Sequence, residues 1–191
     1  MHRVAVILGS NIDKERHLPA AVRLLAAAAE IVAVSTVYES AAIDRPEQPS
    51  FFNAAVLLLS PLSPIELKEG LLTAIENRLG RVRTADRYAP RTIDLDIALY
   101  GDTILDYTPA DGRPRHIPEP DLLRYAHCAL PVAELLPQMN HPETGEALSA
   151  IAARLMASLA AVHRPRPRPD VDLRRVWGDG EENELNTDQQ G

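Results

Sequence analysis

The apolar residues of this chain fall into four strand-length runs separated by two longer stretches, and this order limits the folds open to it. The runs are Arg3–Leu8, Ile31–Tyr38, Phe52–Ser60 and Ile93–Tyr100, and the stretches are His17–Glu30 and Pro64–Leu79. Short runs rich in apolar and β-branched residues are typical of strands, whereas longer stretches with capping signals are typical of helices. The sequence therefore predicts the order β-α-β-β-α-β.

This order is typical of a ferredoxin-like α+β sandwich, in which two helices cover one face of an antiparallel four-stranded sheet. We expect the other face and its loops to be free for a ligand. A Ser63-x-x-Glu66 capping box begins the second helix and Gly80 follows its end. After the fourth strand we expect irregular chain over residues 106–120 and short helical turns over 121–136.

The C-terminal part divides into a helical extension and a tail. An amphipathic stretch over residues 147–162 predicts a closing helix. From Arg164 the sequence reads RPRPRPDVDLRRVW and then becomes polar with almost no apolar residues. Such a composition is typical of disorder. We therefore predict one domain over residues 1–163 and a disordered tail over 164–191, with a proline-arginine ligand for a partner protein as the alternative for the tail.

The composition excludes several classes of protein. About 46% of the 191 residues are hydrophobic and the formal net charge is −7, which fits one globular domain and disfavours general nucleic-acid binding. No apolar run approaches the roughly 20 residues that span a bilayer, and the first run is too short for a secretory signal. We therefore expect a cytoplasmic protein. The single cysteine, Cys128, allows neither an internal disulfide nor a cysteine-based zinc site.

Asp94 and Asp96 lie inside the fourth predicted strand. Alternate side chains of a strand share a face, so both carboxylates point one way, about 6 to 7 Å apart, and the odd-numbered apolar residues of 93–99 point the other way. Two such carboxylates repel each other unless a cation lies between them. Oxygen ligands at this spacing suit Mg²⁺, whose coordination would be completed by phosphate oxygens and water. A solvent-exposed face without a metal is the alternative.

Arginines crowd the segment before this pair. Arg81, Arg83, Arg87 and Arg91 lie within eleven residues, and only two of the 20 basic residues of the chain are lysines. The planar guanidinium group is well suited to bind phosphate. Phosphoryl transfer requires such cations next to carboxylates that bind a metal ion. Neither a P-loop nor a dinucleotide-binding glycine motif occurs. A salt-bridged surface loop is the alternative interpretation.

A second group of residues suggests a pocket for a planar ring. Phe51 and Phe52 are the only phenylalanines of the chain, and Asn53 follows them directly. An aromatic face beside an amide that both donates and accepts hydrogen bonds fits a heterocycle with donors and acceptors on its rim. We expect one of the two phenylalanines to belong to the core instead.

Four motifs occur in order along residues 3–140. They are LGSN at 8–11, VYES at 37–40, QPSFFNAAV at 48–56 and ENRLGRVRTADRYAPRTIDLDIALYGD at 76–102. With these motifs the sequence resembles the 6-hydroxymethyl-7,8-dihydropterin pyrophosphokinase family of folate biosynthesis. The resemblance is most specific in the last motif, where GRxR, PRT and DLDI recur at the family's spacing.

The resemblance implies a reaction and its participants. The enzyme would transfer the β,γ-pyrophosphoryl group of ATP to the hydroxymethyl oxygen of the pterin, giving the pterin diphosphate and AMP. Two Mg²⁺ ions held by Asp94 and Asp96 would bridge the ATP phosphates. We expect ATP and the pterin as partners, no nucleic acid or membrane partner, and a monomer or weak homodimer.

The resemblance also implies roles for individual residues. Those for the pterin are Ser40, Ile43, Phe51 and Asn53, with His127 at the position of an outer stacking aromatic. Those for ATP are Thr73, Glu76, Arg81, Tyr88 and Arg91, together with Arg113, Arg115 and Arg124 as further phosphate contacts. The catalytic set is Arg81, Arg83, Arg91, Asp94 and Asp96, with Arg83 and Tyr88 in a loop that closes over the nucleotide.

This chain departs from the family pattern after the fourth strand. Glu119 stands where the family has a histidine, Tyr125 stands where it has an arginine, and Arg124 is one residue away from that position. Two alternatives follow from these changes. The chain is a divergent pyrophosphokinase for a different pterin-like substrate, or a pterin- or nucleotide-binding relative without catalysis.

Overall fold

The protein has a mixed α/β fold built on an antiparallel sheet. The computed structural model describes residues 1–43, 45–84, 86 and 88–178. Its strands are β1 (His2–Ser10), β2 (Glu30–Val34), β3 (Tyr38–Ser40), β4 (Phe51–Ser60), β5 (Asp94–Tyr100), β6 (Leu105–Tyr107), β7 (Arg115–Ile117) and β8 (Arg166–Pro167). Its α-helices are α1 (Lys14–Ala26), α2 (Pro64–Glu66), α3 (Thr73–Arg78), α4 (Ala126–Leu135), α5 (Leu148–Ser158) and α6 (Leu173–Gly178). Short 3₁₀ helices cover Pro120–Leu123 and Ala161–His163.

The main sheet has the strand order β5-β1-β4-β3-β8, and β2 also pairs with β4. Every pairing in it is antiparallel. β1 lies between β4 and β5, paired with β4 from His2 to Ser10 and with β5 from Val4 to Gly9. The prediction of a mixed fold with an antiparallel sheet is therefore confirmed.

One face of the sheet packs against α1, the helical stretch α2–α3 and α6. This main core contains β1 and β4 residues such as Val6 and Val56, together with Leu18 and Leu72 of the helices. A capping box begins α2, as predicted, because Ser63 and Glu66 exchange side-chain and backbone hydrogen bonds. A π-helical turn over Leu67–Leu72 then joins α2 to α3.

The opposite face of the sheet is covered in part, contrary to expectation. α4 and α5 pack on it and bury a second apolar cluster that includes Ala55, Leu57 and Leu99. The alternation predicted for the fourth strand is wrong at Leu99, because a register shift between β1 and β5 leaves Ala98 as an extra residue. Such a bulge turns the side chains that follow it to the other face. The end of this face that carries the two aspartates is open.

Two segments differ in detail from the sequence prediction. The strand predicted over Ile31–Tyr38 is divided into β2 and β3, because Ser35 accepts a hydrogen bond from the Ala55 amide through its Oγ at 2.8 Å. The segment expected to be irregular contains the antiparallel hairpin β6–β7. Within the described residues, no helix is both long enough and apolar enough to cross a membrane.

The segment 164–178, which we call the strap, is structured where a disordered tail was predicted. β8 pairs with β3, and α6 packs against α1 and β2 with Leu173 only 1% exposed. The prediction of disorder is wrong for these residues because Leu173, Trp177 and Val171 supply enough apolar surface to dock on the main core. The predicted tail continues over 179–191, which lie outside the described residues.

Candidate active site

Three neighbouring strands present a row of residues that organises the site. Gly9 of β1 pairs with Asn53 of β4 on one side and with Asp94 of β5 on the other. Because adjacent strands are about 4.8 Å apart, Asn53 and Asp94 are separated by roughly 10 Å. A side chain at position 9 would stand between them, its Cβ 3.8 Å from Asn53 Oδ1. Glycine therefore keeps the space between the amide and the carboxylate open.

A cavity of about 200 Å³ lies over this row. It is formed by the open end of the sheet, the loop that follows β3, the loop before β5 and the start of α4. Nine of the residues predicted for the site line it: Ser40, Ile43, Phe51, Asn53, Tyr88, Arg91, Asp94, Asp96 and His127. The structure thus brings the predicted ring-binding residues and the aspartate pair to one cavity.

Asp94 faces two arginines of the predicted cluster. Arg91 Nη1 lies 2.5 Å from Asp94 Oδ2, and Arg81 Nη2 lies 3.8 Å from Asp94 Oδ1. The Arg91 guanidinium also lies 5.6 Å from the centre of the Phe51 ring. Arg91 therefore connects the aspartate pair with the aromatic wall of the cavity.

Asp96 faces two further cations. Lys68 Nζ lies 2.9 Å and Arg115 Nη1 lies 3.2 Å from Asp96 Oδ1. Burial acts to raise the pKa of Asp96, but Lys68 and Arg115 outweigh it and lower this pKa to about 2. Asp96 is therefore ionised at neutral pH, as a ligand for a divalent cation must be.

Lys68 is a residue that the sequence interpretation missed. It is only 1% exposed, and its ammonium group donates to Leu95 O and also lies 3.3 Å from Glu76 Oε1. Burial acts to lower the pKa of Lys68, but the charges of Asp96 and Glu76 raise it, so the group stays charged. A signal was present in the sequence, because Lys68 is spaced four and seven residues from Leu72 and Ile75 on the apolar side of a predicted helix.

Glu76 of α3 contacts β5 between Asp94 and Asp96, from the face of the sheet that packs on the main core. It is fully buried, its Oε1 accepts a hydrogen bond from the Leu95 amide at 2.8 Å, and its Oε2 accepts one from Arg83. Burial raises the pKa of Glu76 while Lys68 opposes the rise. Glu76 thus fixes β5 between the two aspartates and holds Arg83 beside them.

Asn53 is oriented by the neighbouring strand. Its Nδ2 donates to Ser40 Oγ at 2.9 Å and approaches the Tyr38 carbonyl at 3.3 Å. Of the two phenylalanines, Phe52 is fully buried in the main core and Phe51 lines the cavity. The outer wall is made by Tyr125 and His127, whose rings stack with centroids 5.4 Å apart.

The two loops over the cavity are joined by polar side chains of the first motif and of the loop after β3. Asn11 Oδ1 accepts the Arg91 amide at 2.7 Å, and Ser10 Oγ donates to the Thr92 carbonyl at 2.6 Å. Gln48 Nε2 donates to the Tyr88 carbonyl at 3.0 Å. The LGSN motif therefore holds the entry to β5, and Gln48, which had no predicted role, links the two loops.

Six of the eight predicted ATP contacts are outside the cavity lining. Arg81 and Arg115 pair with the aspartates and Glu76 with the Leu95 amide between them, whereas Thr73, Arg113 and Arg124 make other contacts. Thr73 donates to the Lys68 carbonyl at 2.7 Å within the helix, and Arg113 donates to the Thr84 carbonyl at 3.2 Å. The Arg124 side chain is 67% exposed, with Nη1 3.8 Å from Asp121. Arg87, the fourth member of the arginine cluster, lies outside the described residues.

The charges around the two aspartates suit a metal and phosphate. Within the described residues, no group of three or more His, Cys, Asp or Glu side chains could hold a metal ion. Arg81 Nε and Arg115 Nε are buried with no hydrogen-bond partner in the part of the chain that the structure describes. Each belongs to an arginine beside one of the aspartates, and a phosphate oxygen would satisfy such a donor.

Comparison with known proteins identifies the family. Residues 5–137 match the sequence model of the family described as 7,8-dihydro-6-hydroxymethylpterin-pyrophosphokinase (HPPK). The chain belongs to this family. Two bacterial members are named 2-amino-4-hydroxy-6-hydroxymethyldihydropteridine pyrophosphokinase. That of Bacillus subtilis is 37% identical over 148 residues, 75% of this chain and 84% of the relative. That of Pseudomonas aeruginosa is 37% identical over 147 residues, 75% of this chain and 86% of the relative.

Solved structures of HPPK-DHPS proteins share the fold of this HPPK family member. The wild-type protein of Plasmodium falciparum superimposes with a TM-score of 0.66 at 11% identity over 82% of this chain. A second HPPK-DHPS structure, in complex with substrates, gives a TM-score of 0.65 at 13% identity over the same share. The chain spans less than half the length of these proteins, 45% and 44%. At such identities the similarity concerns the fold alone.

Proposed function

We propose that the protein transfers pyrophosphate from ATP to 6-hydroxymethyl-7,8-dihydropterin, giving the pterin diphosphate and AMP for folate biosynthesis. The observation that carries this proposal is the single row in which Asn53, Gly9 and Asp94 meet across three strands. It joins a polar and aromatic pocket for a flat ring to a charged end suited to phosphate. The family membership supports the reaction, and this row supports the location that we propose for it.

The ring-binding end would hold the pterin. Asn53 would pair with the edge of the ring, Phe51 would stack on one face and His127 on the other, with Ser40 and Ile43 completing the wall. Burial lowers the pKa of His127 to about 4, so at neutral pH its ring is uncharged and suited to stacking. We infer that the pterin enters with its hydroxymethyl group directed over Gly9 toward Asp94.

The charged end would hold ATP and Mg²⁺. Asp94 and Asp96 would be the metal ligands, and the metal would supply neutralisation of the phosphate charge and alignment of the two substrates. Four arginines lie near these carboxylates. Asp94 forms ion pairs with Arg81 and Arg91, and Asp96 forms one with Arg115. The fourth, Arg83, pairs with Glu76 and Asp111. When ATP binds, these guanidinium groups would exchange carboxylate contacts for phosphate contacts.

The contribution of the protein is alignment rather than covalent chemistry. The hydroxymethyl oxygen of the pterin would attack the β-phosphorus of ATP and lose its proton to solvent. The bond from that phosphorus to the oxygen bridging it to the α-phosphorus would break, and AMP would leave with that oxygen. Two substrates held in one row on either side of Gly9 need little further ordering. Cations already gathered beside the aspartates would stabilise the charge that develops on the phosphates.

Several broader expectations stand with this proposal. We propose that the fold is a ferredoxin-like β-α-β-β-α-β sandwich with a C-terminal helical extension, a description supported by the antiparallel order of β5, β1, β4 and β2. The requirement for two Mg²⁺ ions, the cytoplasmic location and the monomeric or weakly dimeric state stay predictions. So do the ATP contacts of Thr73, Arg113 and Arg124.

Binding measurements on matched variants test the two ends of the site separately. Asn53→Ala removes the ring contact and should weaken pterin binding at least about 10-fold, roughly 1.4 kcal/mol, with ATP binding unchanged. Asn77→Ala, on the exposed side of α3, is the control and should match wild type. Asp96→Asn should instead abolish the Mg²⁺ dependence of binding of a non-hydrolysable ATP analogue. Equal pterin affinity in Asn53→Ala and wild type would contradict the placement of the pterin.

The stacked pair Tyr125 and His127 favours a second candidate, a pyrophosphokinase for a different pterin-like substrate. These residues replace the pattern that the family resemblance leads one to expect in the outer wall. A panel of pterins that differ at the hydroxymethyl-bearing edge, assayed by AMP release, separates the candidates. A preference for another pterin over the folate precursor would favour the second one.

A further inference from the structure

The strap reaches the strand that forms the wall of the ring-binding end. β8 pairs with β3 through Tyr38 and Glu39, and the Arg168 amide donates to the Val37 carbonyl at 2.8 Å. The strap lies beyond residue 137, where the match to the family model ends. It therefore adds a contact to the site that the family match does not cover.

Arg168 is the central polar residue of this contact. Its Nη1 donates to Glu39 Oε2 at 2.6 Å, and its Nε and Nη2 donate to the two oxygens of Asp170 at 2.9 and 2.8 Å. Its guanidinium carbon lies 4.8 Å from the centre of the Phe52 ring. The planar guanidinium group is therefore oriented by three partners, which are Glu39, Asp170 and the Phe52 ring.

Glu39 receives contacts from two other segments at the same point. Its Oε1 accepts from Lys14 Nζ of α1 at 2.7 Å and from Ser50 Oγ, the last residue of the loop over the cavity, at 2.5 Å. Lys14 also donates to the Ser50 carbonyl at 3.0 Å. Although burial opposes it, hydrogen bonds from Lys14, Ser50 and Arg168 lower the pKa of Glu39 to about 2, so this junction is ionised at neutral pH.

The same three-residue strand carries the pterin contacts on its other side. Ser40 follows Glu39 directly and accepts the Asn53 hydrogen bond, and the Tyr38 carbonyl approaches the same amide. Tyr38 OH donates to Glu134 of α4 at 3.2 Å, and Arg174 of the strap lies 3.5 Å from Glu134. The strap therefore contacts β3 directly through Glu39, and it also contacts the Glu134 carboxylate to which Tyr38 donates.

We propose that the strap is a positioning element for the pterin end of the site, with Arg168 as its positioning residue acting through Glu39 on Ser40 and Asn53. The proposal rests on the proposed function for the identity of the ligand. It predicts an effect on the pterin and none on ATP, because the charged end lies on β5, on the opposite side of β1 from β3 and β4.

Steady-state kinetics on three variants test this. Arg168→Ala should raise KM for the pterin about 5-fold, equivalent to about 1 kcal/mol, with KM for ATP and kcat within about 2-fold of wild type. Arg168→Lys keeps the charge and should recover most of the loss. Arg154→Ala removes another exposed arginine, which is paired with Glu146 on α5, and should behave as wild type.

Hydrogen exchange of the β3 amides supplies a readout independent of catalysis. Arg168→Ala should accelerate exchange over residues 38–40 and leave β1 unchanged. If wild-type protein releases no AMP, the proposed function fails, and the exchange measurement still decides the role of the strap. Unchanged exchange over 38–40 in Arg168→Ala would overturn the inference. An equal rise of both KM values would overturn it too, because it would indicate a general loss of structure.

Discussion

At the scale of single residues, cations from three separate segments face the acidic side chains of Asp96 and Glu76. Lys68 comes from the π-helical turn, Arg115 from β7 and Arg83 from the loop before β5. A buried ion pair stabilises little by itself, but removal of one partner leaves an uncompensated charge. The site is therefore sensitive to any change that alters one charge and not its partner.

Replacement of Lys68 by methionine tests this sensitivity. Lys68→Met leaves Asp96 and Glu76 without their shared ammonium group, and we expect the free energy of unfolding to fall by about 3 kcal/mol. Urea denaturation in the absence of divalent metal measures the change. Arg78→Met on the exposed side of α3 is the control and should stay within about 0.5 kcal/mol of wild type. Equal stability of the two variants would contradict the charge arrangement.

Glu119 gives stability a distinct pH dependence. Burial, followed by the charges of Asp96 and Asp121, raises its pKa from 4.5 to about 7, and Arg115 only partly opposes this. Between pH 4.5 and 7 the folded state binds more protons at Glu119 than the unfolded state, so its contribution to stability falls as pH rises. Glu119→Gln should match wild type at pH 4.5 and exceed it by on the order of 2 kcal/mol at pH 8, after allowance for partial exposure.

Thermal or urea unfolding of both proteins across this pH range, with a chelator present, measures the effect. A constant difference between Glu119→Gln and wild type from pH 4.5 to pH 8 would show that the carboxyl group does not titrate in this window. The sequence pattern marked Glu119 only as a departure from the family, because its pKa depends on which charges the fold brings near it.

At the scale of elements, strand periodicity predicted which residues share a face of the sheet, and it missed the contacts between distant segments. The alternation in β5 placed Asp94 and Asp96 on one face, and the motif at the start of β4 indicated Asn53. Lys68 was missed because the π-helical turn and the packing of that turn against β5 decide where its ammonium group lies. Arg115 reaches Asp96 only because β6 and β7 form a hairpin. Composition alone favoured disorder for the strap, because the strap is rich in arginine, aspartate and proline. It docks through only two paired residues and a few apolar side chains, which are too few to change that composition.

Leu173 tests the docking of the strap as an element. Its side chain is 1% exposed against the main core, so Leu173→Ala should lower the free energy of unfolding by about 2 to 4 kcal/mol. Arg175→Ala, in the same helix with its side chain 85% exposed, should change it by less than about 0.5 kcal/mol. Equal denaturation midpoints for the two variants would contradict the docking of α6 and would favour the disordered tail that the sequence predicted.

At the scale of the whole molecule, one sheet serves two purposes through its two faces. The face covered by α1, α3 and α6 supplies the main core. The other face is covered in part by α4 and α5, and it is open at Gly9, where the ring-binding and charged ends meet. The net charge of −7 therefore describes the molecule as a whole, whereas at the site arginines and a lysine surround the aspartates so that an anionic substrate can bind.

The most direct test of this account is the product formed from ATP by purified protein with Mg²⁺ and 6-hydroxymethyl-7,8-dihydropterin. Wild type should release one AMP for each pterin diphosphate and no ADP, because the pyrophosphoryl group moves as a unit. Asp94→Ala should lower this rate at least about 100-fold, while Asp102→Asn, beyond the end of β5, should leave it unchanged. AMP release no faster than that of Asp94→Ala, or release of ADP instead, would contradict the account.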